Sequence, residues 1–282
     1  MPSETPTSPA PLPPRRSPRV HAVLVLLPPS ESKAPAARRG RPVDLDRLSF
    51  PELTDSRKLV VEALIETSAR PDAMALLGVG ASLADEVAAN LALTTSPAQP
   101  AHAVYTGVLY DALGWDTLSP TARRRGTSRV LISSALWGWL RPNDRVPPYR
   151  LSMDGELSGF GPLGRFWRGS TGPVLQRAAG QRGLVVDCRS GPYLAAAPIP
   201  AALSHRQVAI RVLREQHGRR SVVSHLAKHT RGELTRLLLE QDADPRTPEA
   251  LADVAGTRWP VELTAPTRSG GWILDVVLPE EG

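Results

Sequence analysis

The sequence predicts a mixed α/β (α+β) domain, because short apolar runs alternate along the chain with segments of helical periodicity. The apolar runs are too brief for helices and rich in β-branched residues, which predicts buried strands. They occupy residues 22–27, 130–132, 184–187 and 208–213. Apolar residues spaced three and four apart predict helices over residues 48–68, 174–182 and 224–240. Polar turns separate these elements, as an α/β architecture requires.

Composition narrows the classes of function. The net charge of +6 favours a polyanionic partner, but only three of the cationic residues are lysines, so part of the charge reflects Arg-rich composition. The single cysteine excludes an internal disulfide and a Cys-based zinc site, and suits a reducing cytoplasm. No apolar run approaches the length of a membrane span, and no signal-type segment follows the basic N-terminus. We therefore expect a soluble cytoplasmic protein with no membrane association.

Residues 1–20 contain mainly Pro, Ser, Thr and Arg, with almost nothing apolar to bury, which predicts a disordered tail. The folded pattern begins at residue 21. The strand at 22–27 leads directly into a polar loop that ends at Lys33. A buried strand that delivers a lysine-bearing loop is typical of a binding site, although an ordinary strand exit has the same appearance.

Residues 72–93 form the second informative segment. Apolar residues end one helix, Gly78-Val79-Gly80 makes a tight turn, and a second amphipathic helix follows. The pattern resembles the helix-hairpin-helix motif of non-sequence-specific DNA-binding proteins, in which backbone amides donate to a phosphate. Asp85 and Glu86 near the start of the second helix, with no cation beside them, argue against that function. The alternative is an αα-hairpin that needs a glycine turn.

The central stretch, residues 129–153, begins with a buried strand and continues through Trp137-Gly138-Trp139 into a proline-containing segment. The prolines forbid a regular helix, which predicts an ordered loop across the surface. Ligands of α/β proteins usually lie at such strand ends. The charged and aromatic residues on this predicted loop are Arg141, Asp144, Arg145, Tyr149 and Arg150. Before it, Ser119 and Pro120 predict a helix start.

The C-terminal half carries a concentration of positive charge. From His205 to Arg236 the cations exceed the two acidic residues, Glu215 and Glu233, by as much as the net charge of the whole chain. The helix over 224–240 presents Lys228 and Arg231. Residues 259–263 and 272–277 predict a β-hairpin joined through Ser269, Gly270 and Gly271.

Several separate motifs, in order, resemble the YaaA peroxide-stress family. They are LLPPSESK (26–33), VYTG (104–107), RVLISSALWGWLRPNDRVPPYRLSM (129–153), FW (166–167), VVDCRSGPY (185–193) and AKHTRGELTRLLLE (227–240). The resemblance covers the chain from about residue 21 nearly to its end. It implies one domain over residues 21–282 with the so-called cantaloupe fold. It also implies a cytoplasmic role in limiting iron-dependent DNA damage during peroxide stress.

Members of this family are described as binding DNA through a helix-hairpin-helix element and a basic cleft. By resemblance, that element falls on residues 76–84. The opening motif departs from the family, since members commonly read Ser-Pro-Ala-Lys where this chain has Pro29-Ser30-Glu31-Ser32-Lys33. The loop before Lys33 is therefore longer and more acidic than the family pattern.

The first functional hypothesis is a DNA-binding protein that needs no cofactor and no obligate protein partner. Its phosphate contacts would come from the glycine hairpin and a basic cleft, with modest, salt-dependent affinity. The residues assigned to these contacts are Gly78, Val79, Gly80, Lys33, Arg141, Tyr149, Arg150, Lys228 and Arg231.

The second hypothesis is an enzyme for a small anionic or nucleotide-like substrate, because a chain that uses Arg almost everywhere keeps Lys where a titratable amine is needed. Tyr149, Asp187 and Tyr193 would then move protons. The alternative is a buried polar network that holds the loops together. No nucleophile elbow, P-loop or dinucleotide fingerprint favours a named reaction.

A metal site is not assigned. His225 and His229 lie four residues apart on one predicted helix, but the sequence places no acidic partner close enough to complete a site. Cys188 follows a buried strand, which predicts a packed thiol rather than a peroxide sensor, although Arg189 would lower its pKa.

Overall fold

The computed structural model describes residues 23–216, 219–222, 224–266 and 271–279. The predicted tail over residues 1–20 lies outside these ranges. The strands are β1 (Val23–Leu27), β2 (Gln99–Pro100), β3 (Val130–Ser134), β4 (Gly138–Leu140), β5 (Arg145–Val146), β6 (Leu184–Asp187), β7 (Gln207–Gln216), β8 (Arg219–Val222), β9 (Val261–Thr264) and β10 (Trp272–Leu278). The helices are α1 (Thr54–Ser68), α2 (Ala73–Leu76), α3 (Ala84–Ala89), α4 (Ala101–Val104), α5 (Val108–Leu113), α6 (Pro120–Arg129), α7 (Leu163–Ala179), α8 (Gly191–Ala196), α9 (Ser224–Glu240) and α10 (Pro248–Gly256).

A mixed central sheet organises the domain, as the sequence predicts. Its strand order is β4-β3-β1-β6-β7-β10-β9, with β8 added to the end of β7. Strands β3, β1, β6, β7 and β10 are parallel, whereas β4, β8 and β9 run antiparallel to their neighbours. Strands β2 and β5 form a separate two-stranded ribbon. All residues of β1, β3 and β6 are buried, as expected for strands covered by helices on both faces.

The connections place helices on both faces of the sheet. The chain passes from β1 to β3 through α6, and returns across the sheet from β4 to β6 through α7. Because crossovers are right-handed, connections in opposite directions cover opposite faces. Helix α9 packs on α5, α6 and β7, and α7 packs on α8, β1 and β4. Strand β1 therefore lies where the direction of the connections reverses.

Most predicted elements are confirmed. The helix predicted over 224–240 has those bounds, and the predicted helix over 48–68 is α1 preceded by two short 3-10 turns. Ser119 caps α6, its Oγ accepting from the Ala122 amide at 3.2 Å. Strands β9 and β10 form the predicted antiparallel pair. Of its predicted connection, Ser269 and Gly270 lie outside the described residues.

The prediction of a surface loop after β3 is wrong for residues 137–140, whereas residues 147–152 have no regular secondary structure, as predicted. Gly138, at φ +70°, turns the chain back so that β4 pairs with β3, with Trp139 opposite Ser133. Trp137 and Trp139 are fully buried, and the Trp139 indole donates to the Thr171 carbonyl at 3.1 Å. The tryptophans supply enough apolar area to draw the segment into the core.

The helix predicted over 174–182 begins earlier than expected. Helix α7 starts at Leu163 and continues through Pro173, ending at Ala179. Its glycines and proline lower the local helix propensity, which explains why the sequence pattern predicts only the last part of the helix. Burial of Leu163, Trp167 and Leu175 in the core outweighs this cost.

Candidate functional site

Two loops meet at the carboxyl ends of β1 and β6, where the direction of the sheet connections reverses. The first, residues 28–33, follows β1, and the second, residues 188–193, follows β6 and includes the first residues of α8. Strands β1 and β6 are parallel neighbours, with Leu26 opposite Asp187. In open α/β sheets, ligands bind in the crevice that such a reversal opens at the carboxyl ends of the strands. This edge of the sheet is therefore the candidate site.

Lys33 lies behind the first loop and fastens it. Its Nζ donates to the carbonyls of Ser30 and Glu31, at 3.0 and 3.2 Å. The same ammonium lies 4.3 Å from the ring centroid of Tyr149, within the range of a cation–π interaction. Lys33 also forms an isolated antiparallel bridge with Tyr105. Thus Lys33 holds the loop from inside instead of pointing out into solvent.

A buried chain of hydroxyls lies beneath Lys33. The Tyr149 hydroxyl is 3.0 Å from that of Tyr105 and 2.8 Å from Ser134 Oγ. Ser134 Oγ in turn accepts from the amides of Leu136 and Trp137. All three hydroxyl residues are buried. Ser134 comes from the end of β3, so the hydroxyl chain joins β3 to the loops around Lys33.

Arg150 connects this cluster to the glycine-hairpin segment. Its guanidinium pairs with Glu86 of α3 at 3.3 Å and with Glu31 of the first loop at 3.7 Å. The Arg150 amide and carbonyl are both bonded to the side chain of Asn90, which is fully buried. Lys33 and Arg150 are therefore neighbours, as the DNA-binding hypothesis expects, but acidic residues offset part of their charge.

Burial changes the proton affinities at this edge. Burial, and then the positive charge of Arg150, lower the pKa of Lys33 to about 7, although Glu86 and Glu31 act in the opposite direction. Burial raises the pKa of Tyr105, Tyr149 and Tyr193 above the ordinary tyrosine value. The tyrosines are therefore neutral at physiological pH, and Lys33 is the group here that titrates near neutrality.

The outer side of the first loop forms one wall of an open cleft of about 380 Å³. Tyr193 of the second loop, residues 107–110 and residues 152–154 form further walls, and Lys228 and Arg231 reach it from α9. Lys228 is exposed, whereas Arg231 is half-buried and donates to the Ile210 carbonyl at 2.8 Å. Lys228 and Arg231 line this cleft as predicted. Lys33, Tyr149 and Arg150, which were predicted for the same cleft, are not part of its lining.

Arg141 lies at the other end of the sheet. Strand β4 runs antiparallel to β3, so its last residue, Leu140, is opposite Ile132, and the chain leaves toward the amino end of β3. Arg141 Nη1 donates to the Ser128 carbonyl at 2.6 Å, just before β3 begins. Arg141 therefore lies at the opposite end of the sheet from the cleft, contrary to the prediction that it lines the cleft.

Asp187 and Cys188 are placed for structural roles. The Asp187 carboxylate accepts two bonds from the Arg189 guanidinium, at 2.9 and 2.7 Å, and both side chains are buried. This favours the predicted polar network over proton transfer by Asp187. Burial raises the pKa of the Cys188 thiol to about 12, so the packed thiol is confirmed and the predicted lowering by Arg189 is not.

The glycine hairpin is exposed and its helices are short. Helix α2 has four residues and α3 six. Gly78 has φ +64°, and a Cβ at Gly78 or Gly80 would meet nothing within 4 Å. The hairpin contacts the candidate edge through a bond from the Glu156 amide to the Leu76 carbonyl at 2.8 Å. The segment therefore has the predicted turn, in a more compact form than two regular helices.

The positive charge predicted over residues 205–236 is largely used inside the fold. Arg220 pairs with Glu262 at 2.7 Å, Arg211 pairs with Asp275, and Arg206 donates to the carbonyl of Gly183 at 2.5 Å. Arg236 donates to the carbonyls of Leu113 and Gly114. The charge available to a partner is therefore smaller than the sequence count indicates.

Two classes of site receive no support from the described part of the chain. No group of three or more His, Cys, Asp or Glu side chains there has the geometry to hold a metal ion, and His229 pairs instead with Glu233 at 3.4 Å. None of the helices described is long and apolar enough to cross a membrane.

Several residues of the site are not identified by the sequence pattern. Tyr105 and Gly107 belong to a quoted motif but received no role, and Ser134 was interpreted only as the end of a strand. Gly107, at φ +95°, allows the chain to turn beside Ser30, whose Oγ would lie 3.3 Å from an added Cβ. Tyr110 donates to the Pro28 carbonyl at 2.7 Å. The signal was present in the motif VYTG, but its pairing with residues 28–33 is a tertiary contact.

Comparison with known proteins shows the family to which the chain belongs. The family model described as Peroxide stress protein YaaA matches residues 23–262. The chain belongs to the YaaA peroxide-stress family. This membership supports a role in the response to oxidative stress. Within the matched range lie both loops of the candidate edge, the glycine hairpin and helix α9, so the site is part of the family domain.

Individual relatives cover most of the chain. A UPF0246 protein of Streptomyces coelicolor is 43% identical over 265 residues, which are 92% of this chain and 99% of that protein. A UPF0246 protein of Corynebacterium efficiens is 40% identical over 243 residues, covering 86% and 95% of the two chains. One from Cereibacter sphaeroides is 31% identical over 229 residues, covering 79% and 88%. This member of the YaaA family thus resembles its relatives along the full domain.

Proposed function

We propose that this YaaA-family protein serves the oxidative-stress response by binding DNA without sequence preference, thereby limiting iron-dependent damage to it. The observation that carries the proposal is the open glycine hairpin. Among the described residues, the backbone amides of Gly80, Ala81 and Ser82 donate no hydrogen bond, and no side chain caps them. Unpaired amides in an exposed glycine turn suit a phosphate, which accepts hydrogen bonds and carries negative charge.

The neighbouring charges are compatible with this proposal. Glu86, on the helix after the hairpin, is paired with Arg150, so its repulsion of a phosphate is partly offset. Residues 152–154, which adjoin the hairpin contact at Glu156, line the cleft that Lys228 and Arg231 reach. A DNA backbone would thus meet amides at the hairpin and a cation at α9.

Binding of this kind supplies a physical route to protection. Cations condense on the phosphates of DNA, and a protein that contacts phosphates releases them. Ferrous ions held near the backbone would be displaced in the same way, which moves the site of radical formation away from the DNA. The proposal therefore needs no bound iron in the protein.

The proposal is tested by titrating a labelled DNA duplex with the purified protein across a series of salt concentrations. The informative variant is Gly80→Asp, which places a carboxylate among the three amides at a residue with an ordinary φ of −79°. The matched control is Gly169→Asp, at an exposed glycine of α7 whose Cβ would also meet nothing within 4 Å. Both variants change the net charge equally.

We expect the wild-type affinity to fall steeply as salt rises, and Gly80→Asp to weaken binding by about tenfold at low salt, whereas Gly169→Asp changes it by less than about twofold. Equal losses in the two variants would show that the hairpin is not the contact. Absence of salt-dependent binding by the wild type would refute DNA binding altogether.

A further inference from the structure

The cleft at the carboxyl edge has the walls of a small-molecule site. Its volume of about 380 Å³ lies at the lower end of the range for ligand pockets. It opens where the connections of β1 and β6 diverge, the position at which open α/β sheets bind their ligands. Both halves of the fold contribute, because the first loop comes from β1 and Tyr193 comes from the loop after β6.

The walls of the cleft carry different chemical groups. Lys228 and Arg231 supply positive charge from α9, and Ser30 and Ser190 supply hydroxyls from the two loops. Arg231 uses Nε and Nη2 on the Ile210 carbonyl, which fixes the guanidinium and leaves Nη1 without a bond among the described residues. Lys228 is exposed. An anionic group at the α9 wall would therefore meet a fixed guanidinium and a mobile ammonium.

The remaining walls offer an apolar surface and carboxylates. Tyr193, Pro192 and Met153 present apolar and aromatic groups, and Glu31 and Asp154 present acceptors for hydroxyl groups. A ligand that satisfies every wall has an anionic group, hydroxyls and a flat apolar body. A nucleotide has these parts in one molecule, since its phosphate, ribose hydroxyls and base meet those three needs.

The first loop is held in place before any ligand arrives. The Tyr110 hydroxyl donates to the Pro28 carbonyl, and the Thr106 amide donates to the Ser32 carbonyl at 3.3 Å. Lys33 Nζ fastens Ser30 and Glu31 from behind. A wall that is already ordered loses little conformational freedom on binding, which favours affinity for a small ligand.

We propose that this cleft is a binding site for a nucleoside monophosphate, with the phosphate at Lys228 and Arg231 and the base on the Tyr193 side. The inference goes beyond DNA binding at the glycine hairpin, with which it shares Lys228 and Arg231 but not the hairpin amides. For the hypothesis that the protein is an enzyme, it specifies the chemical class of the small anionic substrate and the cleft in which that substrate binds. A free nucleotide and the end of a nucleic-acid strand both carry this phosphate, and the test separates the two sources.

The experiment is calorimetric titration of the full chain with each of the four ribonucleoside monophosphates, adenosine and inorganic phosphate. We expect at least one nucleotide to bind with a Kd below about 1 mM, and more tightly than adenosine or phosphate alone, because only the nucleotide uses all the walls. A single-stranded DNA oligonucleotide with a 5′-phosphate, and its unphosphorylated form, test whether the phosphate source is a strand end.

Matched variants localise the binding. Lys228→Glu should weaken nucleotide binding by about tenfold or more, whereas Lys58→Glu, which makes the same charge change on α1, should alter it by less than about twofold. Gly80→Asp should leave nucleotide binding unchanged, which separates this site from the hairpin. The proposal is overturned if no nucleotide saturates the protein, or if Lys228→Glu binds as the wild type does.

Discussion

The two ends of the parallel sheet both gather charged side chains, but they use them differently. At the amino end of β3, Arg141 donates to the Ser128 carbonyl, and the Asp144 carboxylate accepts from Ser49 and from the Arg141 amide. At the carboxyl end, Lys228 is exposed and Arg231 has one terminal nitrogen unbonded, both beside an open cleft. Positive charge at the amino end is therefore bonded within the fold, whereas at the carboxyl end Lys33 is bonded within the fold and Lys228 and Arg231 are available to a ligand.

Hydrogen-bond partners distinguish a charged side chain that stabilises the fold from one that is available to a ligand. Arg57 is fully buried and donates to the carbonyls of Trp137, Ser49 and Trp139 at 3.0, 2.8 and 2.8 Å. Its spacing of three and four residues from Val60 and Val61 places it on the buried face of α1, whereas Lys58, which follows it, is exposed. The partners of a side chain, rather than its charge or its loop, decide its role.

The largest expected effect comes from removing the structural charge. Arg57→Met leaves three buried carbonyls without their donor, so we expect the free energy of unfolding to fall by about 3–5 kcal/mol. Denaturant unfolding followed by tryptophan fluorescence measures it. Lys58→Met, one residue away, should change stability by less than about 0.5 kcal/mol. Similar effects of the two changes would contradict the comparison.

A smaller loss is expected where α9 crosses α5 beside the cleft. A Cβ at Gly232 would clash with the Leu109 carbonyl oxygen and lie 2.9 Å from Ala112 Cβ. Gly232→Ala should therefore lower the free energy of unfolding by about 1–3 kcal/mol, since the two helices must separate.

The control for this substitution is Gly169→Ala in α7, where the added methyl meets nothing within 4 Å. There we expect a gain of up to about 1 kcal/mol, because alanine has the higher helix propensity. Thermal unfolding of both variants distinguishes them by the sign of the shift in Tm. A gain in both would show that the α5–α9 contact has room for a side chain.

The sequence predicted the buried strands and a lysine-bearing loop after β1 well, because both depend on local order along the chain. It did not predict that Lys33 lies behind that loop instead of lining the cleft. Short β-branched runs identify buried strands, and a loop directly after such a run must lie at the carboxyl edge. The polar neighbours Tyr105 and Ser134 were not assigned, because their hydroxyls meet Tyr149 only after β3 and residues 104–106 have packed around β1.

The position of Arg141 was not predictable for a related reason. The sequence shows that a segment follows β3, but the reversal at Gly138 decides whether that segment leaves toward the site or away from it. In the same way, the charge count over residues 205–236 contains no information about the acidic partners Glu262 and Asp275, which come from β9 and β10. Long-range pairing, not propensity, limited the prediction of the site.

The buried amine of Lys33, at the carboxyl end of the sheet, makes the free energy of unfolding depend on pH. Lys33 has a pKa of about 7 in the folded protein, against 10.5 for an unperturbed lysine. Between these values the unfolded chain binds more protons than the folded one, so the free energy of unfolding rises with pH. Below about pH 7 both states are protonated and the cost of burying the charge is fully present.

We therefore expect the wild type to gain stability relative to Lys33→Met as the pH rises from about 7 to about 10. Denaturant unfolding of both proteins at intervals across this range measures the difference, which cancels the titration of other groups. The prediction is wrong if the difference in free energy of unfolding between the wild type and Lys33→Met stays constant, or falls, as the pH rises. The carbonyls of Ser30 and Glu31 and the Tyr149 ring would then solvate the ammonium as well as water does.

The smallest effect is expected at the predicted DNA contact that lies away from the cleft. Arg141 lies at the amino end of the sheet, with its guanidinium bonded to the Ser128 carbonyl and stacked near Phe50, 5.4 Å from the ring centroid. Arg141→Ala should therefore change the affinity for a DNA duplex by less than about twofold, whereas Lys228→Ala should weaken it by about threefold to tenfold at low salt. Because each variant removes one positive charge, a general effect of net charge would reduce both affinities equally. A loss in Arg141→Ala that matched or exceeded the loss in Lys228→Ala would place the DNA at the opposite end of the sheet.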